Sequence, residues 1–89
     1  MRAVITVIGK DMVGILAHVS TTCAENGVNV VEVTQSVLQD LFAMIMLVDI
    51  SKSTIPFDEL VDKLTKMGSD TGLTIHVMHE DIFNSMHRI

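Results

Sequence analysis

The chain is poor in the residues that crosslink or stack. It has one cysteine, one proline, no tryptophan and no tyrosine. Because Cys23 has no second cysteine to pair with, the fold must be stable without an internal disulfide. Such cysteine usage is typical of a reducing compartment, and we expect a cytoplasmic protein. Phenylalanine occurs three times. With so few aromatic side chains, we expect no surface on which nucleic-acid bases could stack.

Positive charge and long apolar runs are also scarce. Six lysines and arginines stand against eleven acids, for a net charge of −5, and the basic residues are scattered rather than clustered. Displacing counterions from phosphates needs clustered cations, so we expect no direct binding of nucleic acid. The longest apolar run, Leu41–Val48, is far shorter than the roughly 20 residues of a membrane-spanning helix. The start of the chain, Arg2–Ile8, reads as a strand rather than as a signal peptide. We therefore expect no membrane association.

Aliphatic residues are abundant instead. Hydrophobic residues make up 48% of the 89 positions, and most are Val, Ile, Leu, Met and Ala. A chain of this size is expected to be one domain, 1–89, in which 79–89 is a C-terminal tail. A domain this small buries only about 60% of its unfolded surface, so the surplus of apolar side chains predicts burial by association.

Apolar periodicity and turn residues divide the chain into four strands and two main helices. Gly9 is read as the end of the first strand, and Gly27 and the stretch Gly68–Gly72 are read as helix ends. Gln39-Asp40 is read as a hairpin turn, and Pro56 as the first turn of a helix. The predicted strands are Ala3–Ile8, Val28–Leu38, Phe42–Ile50 and Leu73–Met78, and the predicted helices are Ile15–Asn26, Pro56–Met67 and a short tail helix from Glu80. The order βαββαβ predicts an α+β, ferredoxin-like sandwich, with a four-stranded antiparallel sheet and two helices on one face.

The two central strands of this topology, the first and the third, are apolar on both faces. Strict alternation along the second strand places Val30 and Glu32 on the same face. Each exposed Val, Ile or Met side chain forgoes about 1.5–3 kcal/mol of burial, and large apolar patches mark interfaces. We expect a second copy of the sheet to cover the spare face in a homodimer. The tail, through Phe83 and Met86, is a rival or additional cover.

The segment between the first strand and the first helix is the most informative part of the chain. Asp11 is suited to accept backbone N–H bonds at the start of the helix. Gly14 lets a backbone or a ligand approach closely. The free N–H groups of a helix N-terminus suit a carboxylate. Spacing alone favours a capped turn with the glycine packed tightly against a neighbouring strand, and leaves a ligand site as the alternative.

Two stretches carry a resemblance to a known family. Asp11–Leu16, followed by Asn26–Val30, resembles the ACT domain pattern of Asp-x-x-Gly-Ile/Leu, a helix, and Gly-x-Asn-Ile/Val at the start of the second strand. The resemblance covers essentially the whole chain. The tail Glu80–Ile89 is similar to that of short stand-alone ACT proteins of unassigned function, which are related to the ACT regions of the glycine cleavage system repressor. Gly9 stands where some members have histidine, and Val13 where many have proline.

The resemblance implies a regulatory domain that dimerises and binds an amino acid or a similar small effector at the dimer interface, controlling a metabolic enzyme or regulator. It implies a role for Asn29, from the same chain or from its partner. The other ligand-binding positions that it implies are Asp11, Met12, Val13, Gly14 and Ile15.

Other functions have weaker support in the sequence. A protein–protein interaction module without a small ligand is the main alternative, favoured by the long apolar strands. A metal-dependent enzyme would need His76, His79 and His87 together, but the first two lie three apart on a strand and are predicted to point to opposite faces. We therefore expect no metal, no cofactor and no catalytic residue. Cys23 is predicted to lie in the core, and His18 on the surface.

Overall fold

The computed structural model describes residues 1–10 and 14–86, and these form four strands and three helices. In chain order the elements are β1 (Arg2–Lys10), α1 (Ile15–Glu25), β2 (Asn29–Leu38), β3 (Leu41–Asp49), α2 (Phe57–Thr71), β4 (Thr74–His79) and α3 (Glu80–Met86). The strands make one antiparallel sheet of order β2-β3-β1-β4. This architecture confirms the predicted ferredoxin-like sandwich with its short C-terminal helix.

One face of the sheet and the inner sides of α1 and α2 form the core. In the register of β1 with β3, Ile5 pairs with Met46 and Val7 pairs with Met44, and all four side chains are fully buried. Their alternating neighbours therefore point to the opposite side of the sheet. The helices contribute buried side chains at helical spacing: Ile15, Val19 and Cys23 from α1, and Leu60 and Leu64 from α2. Among the described helices, none is long and apolar enough to cross a membrane.

β1 is longer than the sequence predicted. The strand runs through Gly9 to Lys10, because Gly9 stays in register opposite Phe42 of β3. A Cβ at Gly9 would collide with the side chain of Leu73, which is buried there. The glycine that we read as the end of the strand is therefore a packing position within it.

α2 is also longer than predicted, and for a related reason. Gly68 is buried within the helix, where a Cβ would lie 2.9 Å from the Leu73 carbonyl oxygen and 2.9 Å from Ile75 Cγ1. The absence of a side chain lets α2 pack closely on β4. The helix ends only at Gly72, whose φ of 77° is in the left-handed region that favours glycine.

A β-bulge corrects the predicted faces of β2. Val30 pairs with Val48, but the next pair joins Glu32 to Leu47, so Val31 is an extra residue. The prediction that Val30 and Glu32 share a face is therefore wrong, because one inserted residue reverses the alternation. Val30 packs against the core, and Glu32 is placed on the opposite face of the sheet.

The face of the sheet away from α1 and α2, here called the open face, is covered only in part. α3 follows β4 without a loop and lies over the Arg2 end of this face. Phe83 lines a groove of about 200 Å³ together with Val4 and Leu47, and Val4 is buried. The expectation that the tail covers part of the sheet is confirmed for Phe83. It is wrong for Met86, the last residue of α3, which is 65% exposed.

Replacing Gly68 by alanine is expected to destabilise the fold by about 1–3 kcal/mol, because the added methyl group overpacks the contact between α2 and β4. This opposes the gain of about 1 kcal/mol that alanine gives over glycine in a helix. Urea denaturation measures the difference. The control is Ser69→Ala, at the next, exposed position of the same helix. Stabilisation by Gly68→Ala would contradict the close packing.

Candidate functional site

Gly14 opens the helix α1 at the Lys10 end of the sheet. Its φ of 83° and ψ of 10° are left-handed, and its carbonyl oxygen accepts the first helical bond, from the His18 N–H, at 2.9 Å. The expectation that this glycine packs tightly is wrong for the described residues, since a Cβ there would meet none of their heavy atoms within 4 Å. Position 14 therefore favours glycine because of its left-handed backbone conformation, not because of close packing. Gly14 provides no side-chain cap for the first-turn N–H groups of α1.

Of the other predicted ligand-binding positions in this segment, the structure describes Ile15 alone. Asp11, Met12 and Val13 lie outside the described residues. The side chain of Ile15 is only 3% exposed and belongs to the core. A ligand could therefore bind Ile15 through its backbone N–H but not through its side chain. The described part of this segment thus consists of the exposed Gly14 and the buried Ile15.

Asn29 lies far from this helix start within the same chain. It is exposed at the first position of β2, opposite Asp49, which in turn pairs with Arg2. Asn29 is therefore at the Arg2 end of the sheet, whereas Gly14 follows the Lys10 end. The eleven residues of α1 separate the two by about 16 Å. The structure does not bring Gly14 and Asn29 together in one protomer.

Asn26, just before the Gly27 that was read as the helix end, has a structural role that sequence reasoning missed. Asn26 is 6% exposed, and its amide donates to the Thr22 carbonyl oxygen at 2.7 Å and accepts from Lys63 Nζ at 3.3 Å. Its own carbonyl oxygen accepts the Thr54 N–H at 2.9 Å. Gly27 follows with a φ of 72°. This part of the family-like motif therefore joins the end of α1 to α2 and to the loop before it. The Asn-Gly pair after a helix was the available signal.

A polar cluster lies at the same end as Asn29. Arg2 donates from Nε to one Glu80 oxygen at 3.0 Å and pairs through Nη2 with the other at 2.7 Å, which ties α3 to β1. The Ser51 hydroxyl and backbone N–H donate to Asp49 Oδ1 at 2.6 and 2.8 Å, and these bonds lower the pKa of Asp49. Each of these groups is already engaged within the chain. The cluster therefore stabilises the fold at this end of the sheet and is not a candidate ligand site.

The histidines and the cysteine do not converge. His76 pairs with Thr6 on the open face, while the His79 ring stacks on Phe57 of α2 with centroids 4.0 Å apart, so the prediction of opposite faces is confirmed. His87 lies outside the described residues. Within 1–10 and 14–86, no group of three or more His, Cys, Asp or Glu side chains is placed to hold a metal ion. Cys23 is in the core, as predicted.

Cys23 is expected to be inert in the folded protein, because burial raises the pKa of its thiol from 9.0 to about 11. A rise of about two pKa units lowers the reactive thiolate fraction about a hundredfold, and burial blocks access as well. Labelling with a disulfide reagent, in native buffer and in denaturant, measures this. Equally fast labelling in both would contradict the buried position.

Comparison with known proteins agrees with this geometry. Residues 2–78 match the family model described as the ACT domain. A UPF0237 protein from Methanococcus maripaludis is 52% identical over 88 residues, which cover 99% of this chain and 98% of that protein. The solved ACT domain protein from Streptococcus pneumoniae superposes with a TM-score of 0.81 at 36% identity, over 93% of each chain. The ligand-free regulatory subunit of aspartate kinase from Thermus thermophilus superposes with a TM-score of 0.63 at 26% identity, over 85% of this chain and 49% of that one. The chain belongs to the ACT domain family.

Proposed function

We propose that this chain is a regulatory domain that binds an amino-acid effector as a homodimer and has no catalytic activity of its own. The observation that carries the proposal is the exposed, left-handed turn at Gly14, above which the described residues leave open space. Membership of the ACT family supports it, as does the similarity to a regulatory subunit of aspartate kinase. The proposed target is a metabolic enzyme or regulator.

An amino acid matches the chemistry of this loop. Its carboxylate would accept the first-turn N–H groups of α1, including that of Ile15, where the helix dipole favours negative charge. Its ammonium group needs an acceptor, and the Asp11 carboxylate is the proposed one. Met12 and Val13 would bound the effector side chain, and Gly14 would admit it to the backbone.

The proposed site is shared between two protomers. Because Gly14 and Asn29 lie at opposite ends of α1, they meet only if Asn29 comes from a second copy. β2 is an edge strand with unpaired backbone groups along one side, and α1 packs against it. Antiparallel pairing of two β2 edges about a two-fold axis would bring the N-terminal end of one β2 to the Gly14 end of the other protomer. Each dimer would then hold two equivalent sites.

The proposed cellular setting is the cytoplasm. Cys23 is a free, buried thiol, and cysteines without a disulfide are typical of proteins in a reducing compartment.

A second candidate function is a protein–protein interaction module that takes no small ligand. The hairpin between β2 and β3 favours it, because Val37 and Leu38 are 67% and 69% exposed there. Apolar residues in that position suit a protein partner.

The two candidates differ in their response to amino acids. We expect one amino acid or a small related set, at millimolar concentration, to raise the melting temperature. A ligand at a hundred times its Kd stabilises the folded state by about 2.7 kcal/mol, which is roughly 10–20 °C for a domain of this size. Asn29→Ala should abolish the shift. Asn84→Ala, another exposed asparagine away from the loop, is the matched control. No shift with any amino acid would favour the interaction module.

Mixing two variants tests whether the site is shared. Asp11→Ala and Asn29→Ala should each fail to bind alone. Mixed dimers of the two contain one intact site and one doubly changed site, so titration calorimetry should recover binding at about half of the sites in those dimers. Absence of recovery, after exchange of subunits has been verified, would contradict a site built from two chains.

A further inference from the structure

Part of the open face is left uncovered by the other described residues of the protomer. Towards the Lys10 end it carries a set of apolar side chains that we call the bare patch, which begins at Ile45 beside the groove under α3. Ile8 and Ile45 are 43% and 42% exposed, although both belong to central strands, where side chains are ordinarily covered. The members of the bare patch are Ile8, Leu38, Leu41, Ala43 and Ile45, which the strand register places on the same face.

α3 has an apolar side that its own sheet does not use. Phe83 lines the groove against the open face, but Ile82 and Met86 are 52% and 65% exposed. These two residues are four apart, so they lie on one side of the helix. The same protomer thus has an apolar helix side and an apolar sheet patch that are both exposed.

We propose that the bare patch is the seat of α3 from a second copy of this chain, and that the exchange is mutual. α3 covers the Arg2 end of the open face, and the bare patch occupies the Lys10 end. A two-fold axis between two facing sheets, perpendicular to their strands, reverses the strand direction. It therefore sets each α3 over the other copy's bare patch and closes the contact. The two α3 helices form a layer about 10 Å thick between the sheets.

The charges fit this arrangement. α3 begins with Glu80 and Asp81, of which Glu80 is paired with Arg2, and the exposed Asp81 has no ion pair among the described groups. Lys10 is exposed at the far end of β1, beside the bare patch. Because the axis keeps each strand opposite its own copy, Asp81 of the partner subunit approaches Lys10.

The open face sets the size of this contact. With four strands about 4.8 Å apart and the nine residues of β1 as the length, the face measures about 19 by 30 Å, or about 570 Å². α3 of the same protomer already lies over the Arg2 end, so the bare patch and the outer side of α3 are the surfaces that remain for the partner.

This contact uses the open face, whereas the proposed effector site uses the edge of β2, so either proposal can fail alone. If both hold, four chains assemble. If only the open-face contact forms, the assembly is a dimer. In either case, breaking the contact halves the mass.

Sedimentation equilibrium of the full chain tests the contact. The double variant Ile82→Asp/Met86→Asp should halve the mass of the wild-type assembly. The matched control Thr65→Asp/Ser69→Asp adds the same charges to the exposed side of α2 and should leave the mass unchanged. Circular dichroism establishes that each variant is folded. The milder Ile45→Thr on the bare patch, which keeps a β-branched side chain in β3, should weaken the assembly at least tenfold in Kd.

Charge exchange supplies the second measurement. Lys10→Glu should weaken the assembly, and Lys10→Glu combined with Asp81→Lys should restore it. An unchanged mass in the Ile82→Asp/Met86→Asp variant overturns the proposal. So does a monomeric wild type whose bare patch binds a hydrophobic dye, which would indicate a different occupant.

Discussion

The central strands of this small sheet are apolar on both faces, and the described helices cover one face fully and the other in part. Ile5 and Val7 meet the inner sides of α1 and α2, while Val4 and Ile8 alternate with them and point the other way. α3 shields Val4 and leaves Ile8 partly in water. The ion pair of Arg2 with Glu80, the position of Phe83 and the surplus of aliphatic residues all relate to this second face.

The second constraint is the separation of the two ends of α1. A βαββαβ chain places the start of α1 at one end of the sheet and the start of β2 at the other. Gly14 and Asn29 are consequently apart in any single copy, whatever the details of the loop. An effector site that uses both residues requires an assembly, so apolar burial and ligand binding lead to the same need for a second chain.

Much of the fold could be predicted from the sequence, because its signals are local. The helical spacing of Leu60 and Leu64 and the short apolar run of β1 predicted the correct elements. The bulge at Val31 could not be read, since Val30-Val31-Glu32 contains no glycine and its effect depends on pairing with β3. Gly9 and Gly68 were read as terminators because close packing against Leu73 and Ile75 is a tertiary contact.

Less of the candidate site than of the fold could be predicted from the sequence. The motif identified the loop and Asn29 through resemblance, but not the open space above Gly14 or the distance to Asn29, which depend on three-dimensional placement.

We infer that the apolar surplus of this chain is buried between copies. The most direct measurement is the thermal unfolding midpoint over a hundredfold range of protein concentration. If folding and association are coupled, the midpoint rises with concentration, because mass action favours the assembled folded state. A midpoint that stays constant over that range would contradict the claim.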